Sequence, residues 1–232
     1  MNTREILIYF NKICRGNFQM MYTKIKDKEP VATNADKQVK NLIDEMNQSG
    51  YTAITLVDEN YPTALKTMQR PPMVIYAFGD LSLLNTKGIG VIGDDEEFDL
   101  RESKGGSVFV FLGTEQIELV NYITGQKLFI RINQCGEPEA DDLITLFCGF
   151  CKALIVYNAT DTDINLKVVH TIMQYSFSPI KFYMDNNCNK LFSLCCYGHN
   201  YTTVADLEKE LNELEGDFEI WLSVHTMELK QC

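Results

Sequence analysis

The sequence predicts an α/β protein, because strand-like apolar runs alternate with segments of helical spacing behind a helical N-terminal region. Residues 73–78, 108–112 and 153–157 are continuous runs of β-branched, aromatic and other apolar residues. Such runs are typical of strands that are buried on both faces of a parallel sheet. The alternation therefore predicts a reduced Rossmann-like domain with three layers and a mostly parallel sheet.

The N-terminal part of the chain is predicted to be helical. Apolar residues recur at helical spacing from residue 3 to about residue 26, with a break near Gly16. Thr33 or Asn34 can cap a further helix with its side-chain oxygen, and Gly50 can end that helix. Residues 1–50 are therefore expected to form a small helical region.

From residue 51 onwards the pattern becomes that of a sheet with covering helices. The predicted strands are residues 53–57, 73–78, 88–92, 107–112, 128–132, 153–157 and 180–184. The predicted helices are residues 115–124, 140–150, 163–175 and 204–214. We expect residues 51–215 to form the α/β domain, and residues 216–232 to add an edge strand or a contact segment.

Charge and composition argue against several classes of protein. The net charge of −11 lowers the expectation of general nucleic-acid binding, because such proteins normally present a basic surface to the phosphates. No apolar run is long enough to span a bilayer and no leader pattern is visible, so a cytoplasmic protein without a membrane partner is expected. The eight cysteines are then expected to be reduced.

The segment Gly88–Gly93 satisfies the G-x-G-x-x-G pattern of dinucleotide-binding turns. Its glycines alternate with the apolar residues of a predicted strand, and residues 94–97 are four consecutive carboxylates that would repel a phosphate. A strand followed by an acidic loop is therefore favoured over a dinucleotide site, and no cofactor is expected.

A few other residues lie where a ligand can be contacted. Gly113 and Thr114 precede the predicted helix 115–124, whose free amides can face an anion, although a helix start without a ligand is the simpler interpretation. Asn158 follows a predicted strand, at the edge where open α/β sheets bind ligands. Arg131, Lys127 and Lys152 can form a small basic spot, with solvated lysines as the simpler interpretation.

Cys148 and Cys151 form a C-x-x-C pair at the junction of an apolar helix and a buried strand. Cysteine in such a place behaves as a small apolar residue, so structural thiols are favoured over a zinc site or a redox pair. No nucleophile–base pair can be derived from the sequence, which therefore predicts neither a metal site nor an enzyme.

Several short motifs follow one another in a fixed order. They are Tyr61-Pro62-x-x-Leu65, Pro71-Pro72 and an apolar strand through Tyr76 to Gly79-Asp80, with weaker matches at residues 108–114, 148–159, 187–191 and 204–211. From about residue 51 to residue 211 this order resembles the DNA-processing protein A family (DprA, also called Smf).

The resemblance implies a Rossmann-like fold and a cytoplasmic, often homodimeric protein. It also implies binding of single-stranded DNA and its delivery to the RecA recombinase during natural transformation, a process of DNA uptake and recombination. The partners expected on this basis are single-stranded DNA or a recombination protein, and a second copy of the chain.

The chain departs from the family pattern where phosphate binding should begin. The family continues its first Rossmann strand with Gly-Ser-Arg, whereas this chain has Gly93-Asp94-Asp95. The family's Arg-Asn-Arg motif falls on residues 143–147, which contain no arginine. These losses predict a degenerate, non-enzymatic member with altered or absent DNA binding. The candidate nucleic-acid or ligand-binding residues are Gly93, Gly113, Thr114, Arg131, Lys152 and Asn158.

Two alternatives from other functional classes are compatible with the same residues. A sensor of nucleotide-like small ligands would use the cleft that Gly113, Thr114 and Asn158 are expected to line. A protein-interaction or dimerisation scaffold would use the acidic loop after Gly93 and the apolar tail around Trp221.

Overall fold

A computed structural model describes residues 1–68, 70–93, 105–134, 136–157, 161–175, 180–183 and 199–200. Its helices are α1 (Thr3–Cys14), α2 (Phe18–Lys26), α3 (Ala35–Gln48), α4 (Thr63–Lys66), α5 (Ala140–Phe150) and α6 (Asp163–Tyr175). Its strands are β1 (Thr52–Thr55), β2 (Val74–Gly79), β3 (Gly88–Gly93), β4 (Val108–Leu112), β5 (Ile117–Asn121), β6 (Gln126–Arg131), β7 (Cys151–Tyr157), β8 (Ile180–Tyr183) and β9 (His199–Asn200). The predicted helix 204–214 and the tail 216–232 lie outside the described residues.

Capping residues define the N-terminal helices. Asn2 and Glu5 form a capping box at the start of α1, and Asn17 accepts a hydrogen bond from the Met20 amide at the start of α2. Between the two helices Gly16 has a φ of +82°, and a Cβ atom there would lie 2.5 Å from the Ile132 carbonyl oxygen. The predicted helical N-terminal region and its break near Gly16 are thus confirmed.

The described strands form one mixed sheet in the order β1-β2-β6-β5-β4-β3-β7-β8-β9. Parallel pairs join β4 to β3, β3 to β7, β7 to β8 and β8 to β9, whereas β1, β2, β6, β5 and β4 pair antiparallel in that order. The predicted α/β class and Rossmann-like core are confirmed, with the parallel pairing confined to the part of the sheet around β3 and β7.

One predicted element is wrong. Residues 115–124 were expected to be helical, but they contain β5, which forms hairpins with β4 and with β6. Ile117 and Leu119 are fully buried, whereas Glu118 between them is only partly buried, which is the alternation of a strand. The backbone of this short segment is paired on both edges, and that pairing overrides its local helical spacing.

Helices cover both faces of the sheet and make three layers. Ile75 and Ala77 of β2 join the core under α5 and α6, whereas Val74 and Tyr76 of the same strand join the core under α1 and α3. This division follows from the alternation of side chains along a strand. None of the helices in the described part of the chain is long and apolar enough to cross a bilayer.

Candidate functional site

The motif residues around β2 hold the fold together. Tyr61 is buried, and its hydroxyl donates a hydrogen bond of 2.5 Å to the carbonyl oxygen of Pro72. Burial raises the pKa of Tyr61 well above its usual value. Leu65 is fully buried beside Gly149 of α5, where a Cβ atom would lie 2.5 Å from the Leu65 Cδ2 atom. The Tyr-Pro-x-x-Leu and Pro-Pro motifs are therefore joined to each other and to α5 by direct contacts.

The glycine-rich segment lies within β3, as the strand interpretation predicts. A Cβ atom on Gly90 would lie 2.6 Å from the Cys151 sulfur and 2.8 Å from the Phe147 Cζ atom. A glycine is needed here because α5 and the start of β7 pack directly against the strand. The acidic residues 94–97 that follow lie outside the described residues.

The thiols of the C-x-x-C pair are both buried. The Cys151 thiol lies 3.2 Å from the Phe147 carbonyl oxygen and that of Cys148 lies 3.9 Å from the Val168 carbonyl oxygen. Burial raises the pKa of both thiols far above the usual range, so the nucleophilic thiolate form is suppressed. No group of metal-binding side chains occurs among the residues that the structure describes. These surroundings favour the structural role over metal or redox chemistry.

Two of the predicted site residues meet at the carboxyl edge of the parallel strands. Val91 of β3 pairs with Phe111 of β4, so Gly93 and Gly113, each two residues further on, lie at the same edge. Gly113 and Thr114 are exposed in the turn that leads into β5, where the Gly113 amide donates a 3.0 Å hydrogen bond to the Gln116 carbonyl oxygen. The expectation that they precede a helix is wrong. Because a strand follows them instead, there are no free helix amides here to face an anion.

The remaining predicted residues are not gathered at that edge. Lys152 lies at the amino end of β7, roughly 17 Å along the strand from Tyr157. Asn158 lies outside the described residues. Arg131 ends β6 on the same edge as Gly113, but β5 separates β6 from β4. The predicted basic spot is therefore wrong for Lys152, which lies at the opposite edge of the sheet, whereas Lys127 and Arg131 share one face of β6.

Arg131 instead belongs to a cluster that we call the aromatic–arginine surface, formed by Tyr51, Phe78, Phe129 and Arg131. Phe78 and Phe129 are direct partners across β2 and β6, with ring centroids 5.9 Å apart. The Tyr51 ring lies 5.4 Å from that of Phe78, and the Arg131 guanidinium carbon lies 4.0 Å from the Tyr51 ring centroid. Three rings and a stacked cation thus lie together on one face of the sheet.

Charged and polar side chains border this surface. Lys127 lies on the same face of β6 as Phe129 and donates a 3.0 Å hydrogen bond to Glu118 of β5. This hydrogen bond with Glu118 raises the pKa of Lys127 above its usual value. Within the described part of the chain, the Arg131 Nε atom is buried without a hydrogen-bond partner.

Sequence reasoning missed the three rings of this surface. Tyr51, Phe78 and Phe129 come from distant parts of the chain and meet only through the pairing of β1, β2 and β6. The available signal was the alternation of Lys127, Phe129 and Arg131, which places these side chains on one face of a strand.

Comparison with known proteins links the chain to one family. The model of the family described as DNA recombination-mediator protein A matches residues 52–97, which include the Tyr-Pro-x-x-Leu and Pro-Pro motifs. No curated protein matches the chain.

Two solved structures share its fold. DNA processing protein A (DprA) from Streptococcus pneumoniae is 12% identical, with a TM-score of 0.50 over 87% of this chain and 90% of that one. DNA processing protein A from Helicobacter pylori, whose structure concerns its single-stranded DNA binding mode, is 14% identical, with a TM-score of 0.50 over 71% of this chain and 98% of that one. At these identities the structures establish a common fold. Together with the family model they confirm the resemblance seen in the sequence.

Proposed function

We propose that this chain, which is similar to the DprA family in its motifs and its fold, acts in DNA processing as a protein that binds single-stranded DNA and catalyses no reaction. The observation that carries this proposal is the match of residues 52–97 to the DNA recombination-mediator protein A model. The Helicobacter pylori protein of the same fold, which is described with a single-stranded DNA binding mode, supports the choice of ligand.

The charges of the described residues favour a binding surface on β2 and β6 over one at the carboxyl ends of β3 and β4. Gly93, Gly113 and Thr114 carry no positive charge, and the Gly113 amide already donates to the Gln116 carbonyl oxygen. Phosphate contacts normally come from lysine and arginine, and in a protein of net charge −11 these contacts must be local. Arg131 and Lys127 supply such cations beside an exposed ring, Phe78, and the half-buried rings of Tyr51 and Phe129.

Titration of a fluorescently labelled oligo-dT, followed by anisotropy between about 10 and about 150 mM salt, tests this function. We expect saturable binding that unlabelled oligo-dT displaces, and that thymidine monophosphate and duplex DNA of the same length displace poorly. Unchanged anisotropy up to high micromolar protein across the whole salt range would refute DNA binding.

The family resemblance further suggests delivery of the bound strand to a RecA-type recombinase and assembly into a homodimer. Light scattering at several protein concentrations tests the dimer. Capture of purified RecA by the immobilised chain, with and without oligo-dT, tests the delivery step. A strict monomer would remove the dimer, and failure to retain RecA under both conditions would remove the delivery step.

A further inference from the structure

We propose that the aromatic–arginine surface is the platform on which the bases of single-stranded DNA stack. This role rests on the DNA-binding function proposed above and assigns it to Tyr51, Phe78, Phe129 and Arg131. Exposed aromatic side chains next to cations are the combination that binds single strands without sequence preference. A base offers a planar face to each ring, and the phosphates that follow it need a nearby positive charge.

The three rings form a row with the exposed Phe78 at its centre and the half-buried Tyr51 and Phe129 on either side. Neighbouring centroids lie 5.4 Å and 5.9 Å apart, and neighbouring planes are inclined by only 38° and 30°. Phe78 is 41% exposed, whereas Tyr76, two residues earlier on the same face of β2, is completely buried. The helical layer therefore ends between these two side chains and leaves Phe78 open to solvent, with Tyr51 and Phe129 partly exposed beside it.

The cation in the row is held in place before any ligand arrives. The Arg131 guanidinium is stacked on Tyr51, and its Nη2 atom lies 3.7 Å from the Met46 sulfur. Because an arginine fixed in this way loses little further conformational freedom, its charge is well placed for a phosphate. Lys127 offers a second positive charge on the same face, although its present partner is Glu118.

Glu118 sets a limit on the affinity of this surface. It is the direct cross-strand neighbour of Phe129, so its carboxylate borders the ring row. A carboxylate at that place repels phosphate and occupies Lys127, which favours weak, rapidly reversible binding. The ring row itself favours single strands over duplexes, since base pairing and stacking in a duplex hide the faces of the bases that would contact the rings.

The deciding experiment compares variants in the oligo-dT titration. Phe78→Ala is expected to raise the Kd about fivefold to a hundredfold, because the contribution of one stacked base is lost. Phe78→Leu keeps an apolar side chain without a π-face and should weaken binding nearly as much. The matched control is Tyr22→Ala, since Tyr22 is 47% exposed and paired with Phe18 on α2, away from the sheet. That variant should bind like the wild type, and thermal melting checks that all variants are folded.

A second measurement uses the unaltered protein. Ultraviolet cross-linking to an oligonucleotide that carries 5-iodouracil, followed by mass spectrometry, should label peptides that contain Phe78, Phe129 or Tyr51. Binding by the wild type with no effect of Phe78→Ala, or cross-links confined to other segments such as α2, would overturn the platform and leave DNA binding itself intact. No binding by the wild type would overturn both, whereas binding of an apolar peptide but not of oligo-dT would identify a protein-docking surface instead.

Discussion

Replacing Gly90 with alanine should destabilise the fold because β3 has no room for a side chain at this position. An added Cβ atom would lie 2.6 Å from the Cys151 sulfur, 2.8 Å from the Phe147 Cζ atom and 3.1 Å from the Leu154 Cδ1 atom. Such overpacking costs about 1–3 kcal/mol. The backbone of Gly90 does not require glycine, so alanine would otherwise stabilise by about 0.4–1 kcal/mol. We expect a net loss of about 1–2 kcal/mol in the free energy of unfolding.

Urea denaturation of a double-mutant cycle measures the source of this loss. Cys151→Ala removes the sulfur nearest to the added methyl group, so Gly90→Ala combined with Cys151→Ala should be more stable than the sum of the single changes by about 1 kcal/mol. Cys148→Ala is the matched control, because Cys148 is also buried but contributes none of the three atoms nearest to that methyl group. Its effect should add to that of Gly90→Ala within about 0.5 kcal/mol.

The result also separates packing from phosphate binding. If the glycines of β3 served a phosphate, alanine at position 90 would weaken ligand binding and leave stability almost unchanged. A Gly90→Ala variant as stable as the wild type, or one that shows no coupling with Cys151, would refute the packing explanation.

Three further changes test other contacts. Tyr61→Phe should lower the free energy of unfolding in urea by about 1–3 kcal/mol, because it leaves the Pro72 carbonyl oxygen without its buried donor, whereas Tyr22→Phe at an exposed site should have no effect. Glu118→Gln should tighten oligo-dT binding in the anisotropy assay, because it frees Lys127; weaker binding would contradict the platform. Burial, with repulsion from Glu139 and Asp141, raises the pKa of Asp142 from 3.8 to about 6, so the folded state holds this proton more tightly than the unfolded state. Stability should therefore fall by about 1–2 kcal/mol as the pH rises from about 4 through about 6, and Asp142→Asn should remove this decline in melting curves recorded across that range.

Most strands and helices could be predicted from the local spacing of apolar residues. For β5 this spacing was not enough to distinguish a strand from a helix. Its five residues are too few to distinguish a helical from a strand period, and Ile117, Leu119 and Val120 fit both. The segment is a strand because its backbone pairs with β4 on one edge and with β6 on the other. This pairing involves residues outside the segment, so the spacing within it does not reveal the pairing. The error in β5 then carried over to Gly113 and Thr114, whose expected role depended on a helix.

The glycines and cysteines were predictable for a different reason. Within residues 88–92 the glycines are interleaved with apolar residues, and Cys148 and Cys151 lie among apolar neighbours. The burial of these glycines and cysteines could therefore be predicted from the local sequence. The sequence predicts Arg131 beside Lys127 and Lys152, and only Lys127 shares its strand. The edge on which each strand ends depends on the topology of the sheet, and the antiparallel path of β5 and β6 between β4 and β2 has no local signal.

The affinity for oligo-dT should depend on salt in an unusual way, because the chain as a whole is acidic whereas the proposed binding surface carries local cations. At about 10 mM salt, charges interact over about 30 Å, so the net charge of −11 repels an approaching strand. At about 150 mM salt, this range falls to about 8 Å, and the neighbouring Arg131, Lys127 and Glu118 dominate. Two phosphate contacts would give a slope of at most about −1.4 in a plot of log affinity against log salt, and the long-range repulsion should flatten it further at low salt. A slope steeper than about −3 in the anisotropy series would require more cations than this surface holds, and the strand would then have to follow another surface, such as the lysines of α2.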